Sequence, residues 1–329
     1  MEERLFWIGI AMGAYAWLTK RWTEDGKLDR RGFSAAWHAL FFAIAGFAVA
    51  VVAMMSFESR RHGAGADLWS ARQLAPAFAA ALLLGGLGFW RCWSDQGGGE
   101  KRRHYMNEDL EWAETVFSAV LLASFLMYFV VQAFKIPSGS METTLRIGDH
   151  LFVNKFVYGV RIPFTQKRVL RWKSVQHGDI VVFRFPTDDA EEVHCGSPQY
   201  GKDFIKRVIG LPGDRVEVKN GVVSINGQAL GKEPYTQYLN VARMPKVDLP
   251  FKLEQYQSLW ETRMLDRRIG DMMMDNFGPV VVPPDAYFMM GDNRDRSCDG
   301  RYWGPVQQKY VKGKAWFIYW PPSRMGKIS

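Results

Sequence analysis

Long apolar runs dominate the first part of the chain, at 5–18, 33–57, 68–90 and 112–133. About 20 apolar residues are needed to cross about 30 Å of hydrocarbon, and the last three runs reach that length. The first is short: it lies in the interface, or it extends to Trp22 and spans. Its Ala14-Tyr15-Ala16 mimics the small-x-small end of a cleaved export signal, but Lys20 and Arg21 follow at once and disfavour export of that end. The stretch 95–100, with three glycines, reads as a flexible linker. Past residue 134 the pattern shortens. Ile180-Val181-Val182-Phe183 after Gly178-Asp179 reads as a strand. Residues 215–218 and 222–225 around Asn220-Gly221 read as a hairpin with a type I′ turn, and Asn226-Gly227 offers another turn. Residues 280–282, 287–290 and 315–319 look like further strands. Transmembrane helices followed by a mostly-β domain, barrel-like or a sandwich, is the expected fold class.

Charge refines this picture. The chain carries a formal +8, which raises the question of nucleic acid, yet no zinc finger, recognition helix or aromatic RNA-binding motif accompanies it. The basic residues cluster beside the apolar runs instead. Lys20, Arg21, Lys27, Arg30 and Arg31 follow the first run, Arg91 and Lys101-Arg102-Arg103 follow the third, and only Arg60 and Arg61 follow the second. The positive-inside rule then makes the first and third loops cytoplasmic and sends the 112–133 segment outward. Of the three cysteines, Cys92 falls on the cytoplasmic side. Cys195 and Cys298 fall in the external part, where a disulfide and two unpaired small residues are both open readings.

The chemistry lies in three polar segments. Ser140 follows Phe134-Lys135-Ile136-Pro137-Ser138-Gly139. Lys206 sits in Lys202-Asp203-Phe204-Ile205-Lys206-Arg207-Val208-Ile209, and Ser297 closes Gly291-Asp292-Asn293-Arg294-Asp295-Arg296-Ser297. A serine is a weak nucleophile until a base takes its proton. A lysine serves as that base only when neutral, which apolar burial favours. Read locally, Lys206 is a surface lysine on an alternating strand and Ser138 an ordinary turn residue. Together with the Ser297 segment they read as a site. The six histidines form no HExxH pair and the chain has no GxSxG elbow, so neither a metal nor another cofactor is expected. Asp295, Ser297 and Asp299 imitate the start of a calcium loop, but Val306 stands where its glutamate belongs.

From Phe134 to Trp320 these motifs, in this order, resemble the bacterial type I signal peptidase (leader peptidase) family. The resemblance implies a membrane-bound endopeptidase of the cytoplasmic membrane, multi-pass here, with its catalytic domain on the external or periplasmic side. Such an enzyme removes signal peptides from exported preproteins after Ala-x-Ala. It implies Ser140 as nucleophile, Lys206 as general base, and an oxyanion hole made of the Ser138 hydroxyl and the Ser140 N–H. Ser297 would hydrogen-bond and orient Lys206, and Asp299 with Arg301 would form a supporting ion pair. Ile136, Leu145 and Ile205 would line the pocket for the residue before the cut; Phe134, Leu151 and Ile205 would line the one two residues earlier, with Phe204 also on the substrate. Implied partners are signal peptides, the lipid bilayer and the secretion machinery. The organisation expected is a membrane region at 1–111, a last transmembrane helix at 112–133 and a β-rich catalytic domain at 134–329 with an inserted β subdomain near 228–276. A catalytically inactive membrane receptor for signal peptides is the alternative. One departure is Glu142-Thr143-Thr144-Leu145, where Thr143 replaces the proline the family commonly has before Thr-Leu, loosening a rigid turn.

Overall fold

The computed structural model describes residues 2–27, 30–62, 71–94, 98–162, 168–231, 233–240, 243 and 252–328. The chain divides into two compact units, Met1–Tyr128 and Phe129–Ser329.

The first unit contains α1 (Glu2–Glu24), α2 (Arg31–His62), α3 (Ala71–Ser94) and α4 (Gly98–Phe125). Among the described residues two stretches are long and apolar enough to cross a membrane, Arg31–Val51 and Leu74–Ser94. Small residues let α2 and α3 approach closely: a Cβ on Gly85 would sit 3.1 Å from the Ala39 carbonyl and the Ala43 Cβ. Between α1, α2 and α4 the polar groups find one another. Asp109 accepts from Tyr15 Oη at 3.2 Å and shares a 2.5 Å hydrogen bond with His38 Nδ1. Two expectations change. Gly98 and Gly99 begin α4 rather than a linker, and 95–97 lie outside the described residues. The 112–133 run is not one helix. After α4 comes a π-helical turn, Leu126–Val130, and then Val131–Ala133 belong to a strand, because their backbone pairs with Asn154, Val153 and Phe152.

The second unit is mostly β. In chain order come β1 (Val131–Lys135), β2 (His150–Asn154), the ribbon β3 (Val160–Arg161) and β4 (Arg168–Val169), and β5 (Ile180–Arg184). Next are the ribbon β6 (Val193–His194) and β7 (Ser197–Pro198), then β8 (Asp203–Gly210), β9 (Arg215–Lys219), β10 (Val222–Ile225) and β11 (Gln228–Ala229). Helices α5 (Leu253–Glu261) and α6 (Asp266–Ile269) follow, then β12 (Phe277–Val281), β13 (Ala286–Met290), α7 (Gly300–Trp303), β14 (Val306–Gln307), β15 (Val311–Trp320) and β16 (Gly326–Lys327). The main sheet runs β1-β2-β15-β5-β8-β13-β14, with β16 on β15; the second runs β11-β10-β9-β12. The second sheet takes β9 and β10 from before the 228–276 stretch and β12 from after it. Between β11 and β12 the described elements are helical.

The turns explain the second sheet. Asn220 and Gly221 have φ of 50° and 80°, the double left-handed geometry of a type I′ turn, and Asn226-Gly227 repeats it at 53° and 83°. Strand β5 explains the main core. Its side chains alternate, so Val181 and Phe183 pack with Val208, Met289 and Trp303, while Ile180 and Val182 pack with Ile136, Leu145, Leu151 and Ala315. A third cluster joins the second sheet to α5 and α6 through Val216, Val218, Trp260 and Phe277.

The β6–β7 hairpin is tied to α6 by His194, whose two ring nitrogens lie 2.7 Å from Asp266 and 2.8 Å from Glu192. Burial alone would lower the His194 pKa, but the two carboxylates outweigh it and raise the value. A raised folded pKa stabilises the protonated hairpin fully below the ordinary histidine value, and the gain fades as pH climbs through the raised one. Hydrogen exchange of amides 193–199 in the full chain should therefore show His194→Gln opening more easily than wild type at pH 6, by about 1–3 kcal/mol. The gap should narrow above the folded pKa; a gap independent of pH contradicts the assignment.

Candidate active site

Ser140 sits in a 3-10 turn, Gly139–Met141, between β1 and β2. Asn293 holds this turn from the far side of the sequence: its N–H donates to the Ser140 carbonyl at 3.1 Å and its side-chain amide to the Gly139 carbonyl at 3.2 Å. Lys206 lies on β8 opposite Val181 of β5, and only 2% of it is exposed. Its Nζ is 2.5 Å from Ser140 Oγ. Burial pushes the Lys206 amine down to about 8 from 10.5, against Asp299 and Asp292, which favour its charged form. A minor but reactive part of the amine is thus neutral near neutral pH, hydrogen-bonded to a serine.

Around this pair stand two buried ion pairs. Arg301 grips Asp299 through two hydrogen bonds of 2.9 Å, and Asp299 also accepts from the Gly291 N–H at 3.1 Å. Burial favours the neutral Asp299 acid, but Arg301 overcomes it and holds the carboxyl below its usual range. Asp292 receives Arg207 at 2.8 Å on both oxygens and Thr144 Oγ1 at 2.6 Å. Arg207 in turn lies 3.7 Å over the Tyr235 ring.

The residues singled out in the sequence are distributed as follows. Phe134, Ile136, Leu145, Leu151 and Ile205 share one apolar cluster with Met141. Phe134 pairs with Leu151 across β1 and β2. Phe204 packs in the other cluster, beside Trp303, with its ring 5.8 Å from Lys206 Nζ. Ser138 is exposed in an extended conformation, and its hydroxyl does not cap the turn that follows. Ser297 differs from expectation. Its Oγ is buried but bonds neither Lys206 nor any other described group, because the side chain packs over Gly291 while Lys206 turns to Ser140.

Asp292, Asn293, Arg207 and Thr144 escaped the sequence reading, since a charged, turn-rich run looks like a solvated loop. The available signal was the adjacency of Arg207 to Lys206 on an apolar strand. Thr143 has φ of 97°, a region β-branched residues rarely enter and proline cannot. A 2.5 Å hydrogen bond from its hydroxyl to the Tyr235 carbonyl fixes a turn conformation that no proline could adopt.

Residues 109–320 match the family described as signal peptidase, peptidase S26. A signal peptidase I of Pseudomonas aeruginosa is 34% identical over 238 residues, covering 67% of this chain and 76% of its own. A probable signal peptidase I-2 of Synechocystis is 35% identical over 223 residues, covering 68% and 78%. The crystal structure of a signal peptidase I from Enterococcus faecalis shares 28% identity over 43% of this chain and 97% of its own, with a TM-score of 0.28. The chain belongs to the signal peptidase, peptidase S26, family, which makes it a peptidase.

Gly291 is the tightest point of the site. A Cβ there would run into the Ser297 side chain and lie 2.5 Å from the Ser140 carbonyl oxygen. Gly291→Ala should keep the fold and lower peptidase turnover by about tenfold or more, since small misplacements near reacting groups are costly. Wild-type turnover by a folded Gly291→Ala protein contradicts this packing.

Proposed function

We propose that this peptidase is a membrane-anchored serine endopeptidase that removes signal peptides from exported preproteins, cutting after Ala-x-Ala, with Ser140 and Lys206 as its dyad. The observation that carries the reading is the buried Lys206 amine 2.5 Å from Ser140 Oγ. Neutral Lys206 takes the hydroxyl proton as Ser140 attacks the scissile carbonyl. The resulting ammonium then gives the proton to the leaving amine, and the acyl-enzyme is hydrolysed by water with Lys206 again as base. The developing oxyanion is received by the Ser140 N–H and the Ser138 hydroxyl, each such donor being worth about 3 kcal/mol.

The signal peptide lies extended along open strand edges. Strand β13 pairs with β8 only over Arg207–Gly210, so among the described residues no strand takes the second edge of Asp203–Lys206. Strand β1 likewise pairs only with β2. Apolar walls from Phe134, Ile136, Leu145, Leu151 and Ile205 leave room for small side chains. The α2 and α3 spans hold the enzyme in the bilayer of a bacterial cytoplasmic membrane, as a multi-pass protein. The basic loops around Arg30 and Lys101–Arg103 face the cytoplasm. The catalytic unit faces outward, where the secretion machinery delivers preproteins.

The test is to incubate the purified full chain with a preprotein bearing Ala-x-Ala and to sequence the new N-terminus. Cleavage after the second alanine is expected, and Ser140→Ala and Lys206→Met should each lose about a thousandfold or more while staying folded. Turnover close to wild type by either variant overturns the dyad; binding of the preprotein without any cleavage by wild type overturns the enzyme in favour of a receptor.

A further inference from the structure

Cys195 and Cys298 form a disulfide, with Cα atoms 6.2 Å apart and 103 residues between them in sequence. Both ends of this bridge are informative. Cys195 has φ of 52° and Gly196 φ of 81°, so the cysteine occupies the first corner of the two-residue β6–β7 turn, His194 pairing with Ser197. The hairpin cannot drift. His194 is clamped between Asp266 and Glu192, its carbonyl accepts from Gln199 Nε2 at 2.9 Å, and Glu192 is held by Arg263 at 2.8 Å. Cys195 is thus fixed on a platform outside the site.

At the other end, Cys298 sits between two residues that reach the dyad. Ser297 packs over Gly291, whose missing Cβ leaves room for both Ser297 and the Ser140 carbonyl. Asp299 accepts from the Gly291 N–H and is the main charge acting on Lys206. Ser297 contributes no hydrogen bond that would fix its own side chain. Asp299, with its Gly291 and Arg301 partners, holds one end of this strip, and the disulfide adds a covalent tie directly beside Ser297.

We infer that the Cys195–Cys298 disulfide is a positioning element for catalysis: it anchors Ser297 and Asp299 to the β6–β7 hairpin and so sets the geometry of Gly291, Ser140 and Lys206. This rests on the dyad reading above. Among the described residues the bridge joins chain segments that no strand pairing connects, since β6 pairs there only with β7. Loosening it lets the Ser297 strip lift from Gly291 while the sheet carrying Lys206 stays in place.

The experiment compares the oxidised full chain in detergent with the same protein reduced by a phosphine, and with Cys195→Ser and Cys298→Ser. Cys195 is exposed, so the phosphine has access. Cleavage of an Ala-x-Ala preprotein is measured well below the unfolding temperature, with Ser140→Ala as the inactive control. On reduction kcat should fall about tenfold with KM changed less than twofold, and reoxidation after removal of the phosphine should restore it. Both serine variants should match the reduced enzyme, and if they fail to fold, the reduction and reoxidation arms decide alone. A kcat unchanged on reduction, or a loss that appears only as a lower melting temperature, overturns the inference and leaves the dyad intact. No cleavage by the oxidised wild type would instead bring down the dyad reading itself.

Discussion

The structure turns on the burial of one amine against one hydroxyl. An ammonium buried in an apolar setting pays a large desolvation cost, and Lys206 forms no ion pair among the described residues. The nearby carboxylates are already engaged, Asp299 by Arg301 and Asp292 by Arg207. Those two pairs keep negative charge close enough to act on Lys206 but directed elsewhere, so desolvation wins and the amine is poised near 8. A direct carboxylate partner would restore the charge and silence the base.

Each feature of the sheet around the pair serves that burial. β5, the strand beside Lys206, is apolar on both faces, and Lys206–Gly210 of β8 are buried. Ser140 reaches it from a separate element, and Asn293 pins the Ser140 turn in place from the loop after β13. That loop is in turn fastened by Arg294 to Glu233 and by the Gln237 bridge to Asn293. The residues past β11 therefore do more than decorate the fold, since they fix the loop that fixes the nucleophile.

Much of this was legible in the chain. The apolar run after Gly178-Asp179 marked β5 and Asn-Gly turns marked β9 and β10, because those signals are local. Ser140 and Lys206 stood out by motif order, and the structure brings them together. What escaped depended on partners far away. Val131–Ala133 are as apolar as the helix before them, and only pairing with β2 makes them strand. Gly98 and Gly99 look like linker yet start α4. The Asp292–Arg207 pair spans 85 residues, and nothing local distinguishes it from surface charge. The two cysteines were undecidable from spacing, since the extended chain between Cys195 and Lys206 can reach over about 20 Å.

The most direct measurement is of the amine itself. The full chain labelled with 13C at lysine Cε, solubilised in detergent, can be titrated by nuclear magnetic resonance, with Lys206→Met assigning the signal. The account predicts that Lys206 titrates near 8, well apart from the exposed lysines. A midpoint at the ordinary 10.5 or above would mean that the amine is charged whenever the serine must be activated, and would contradict the account.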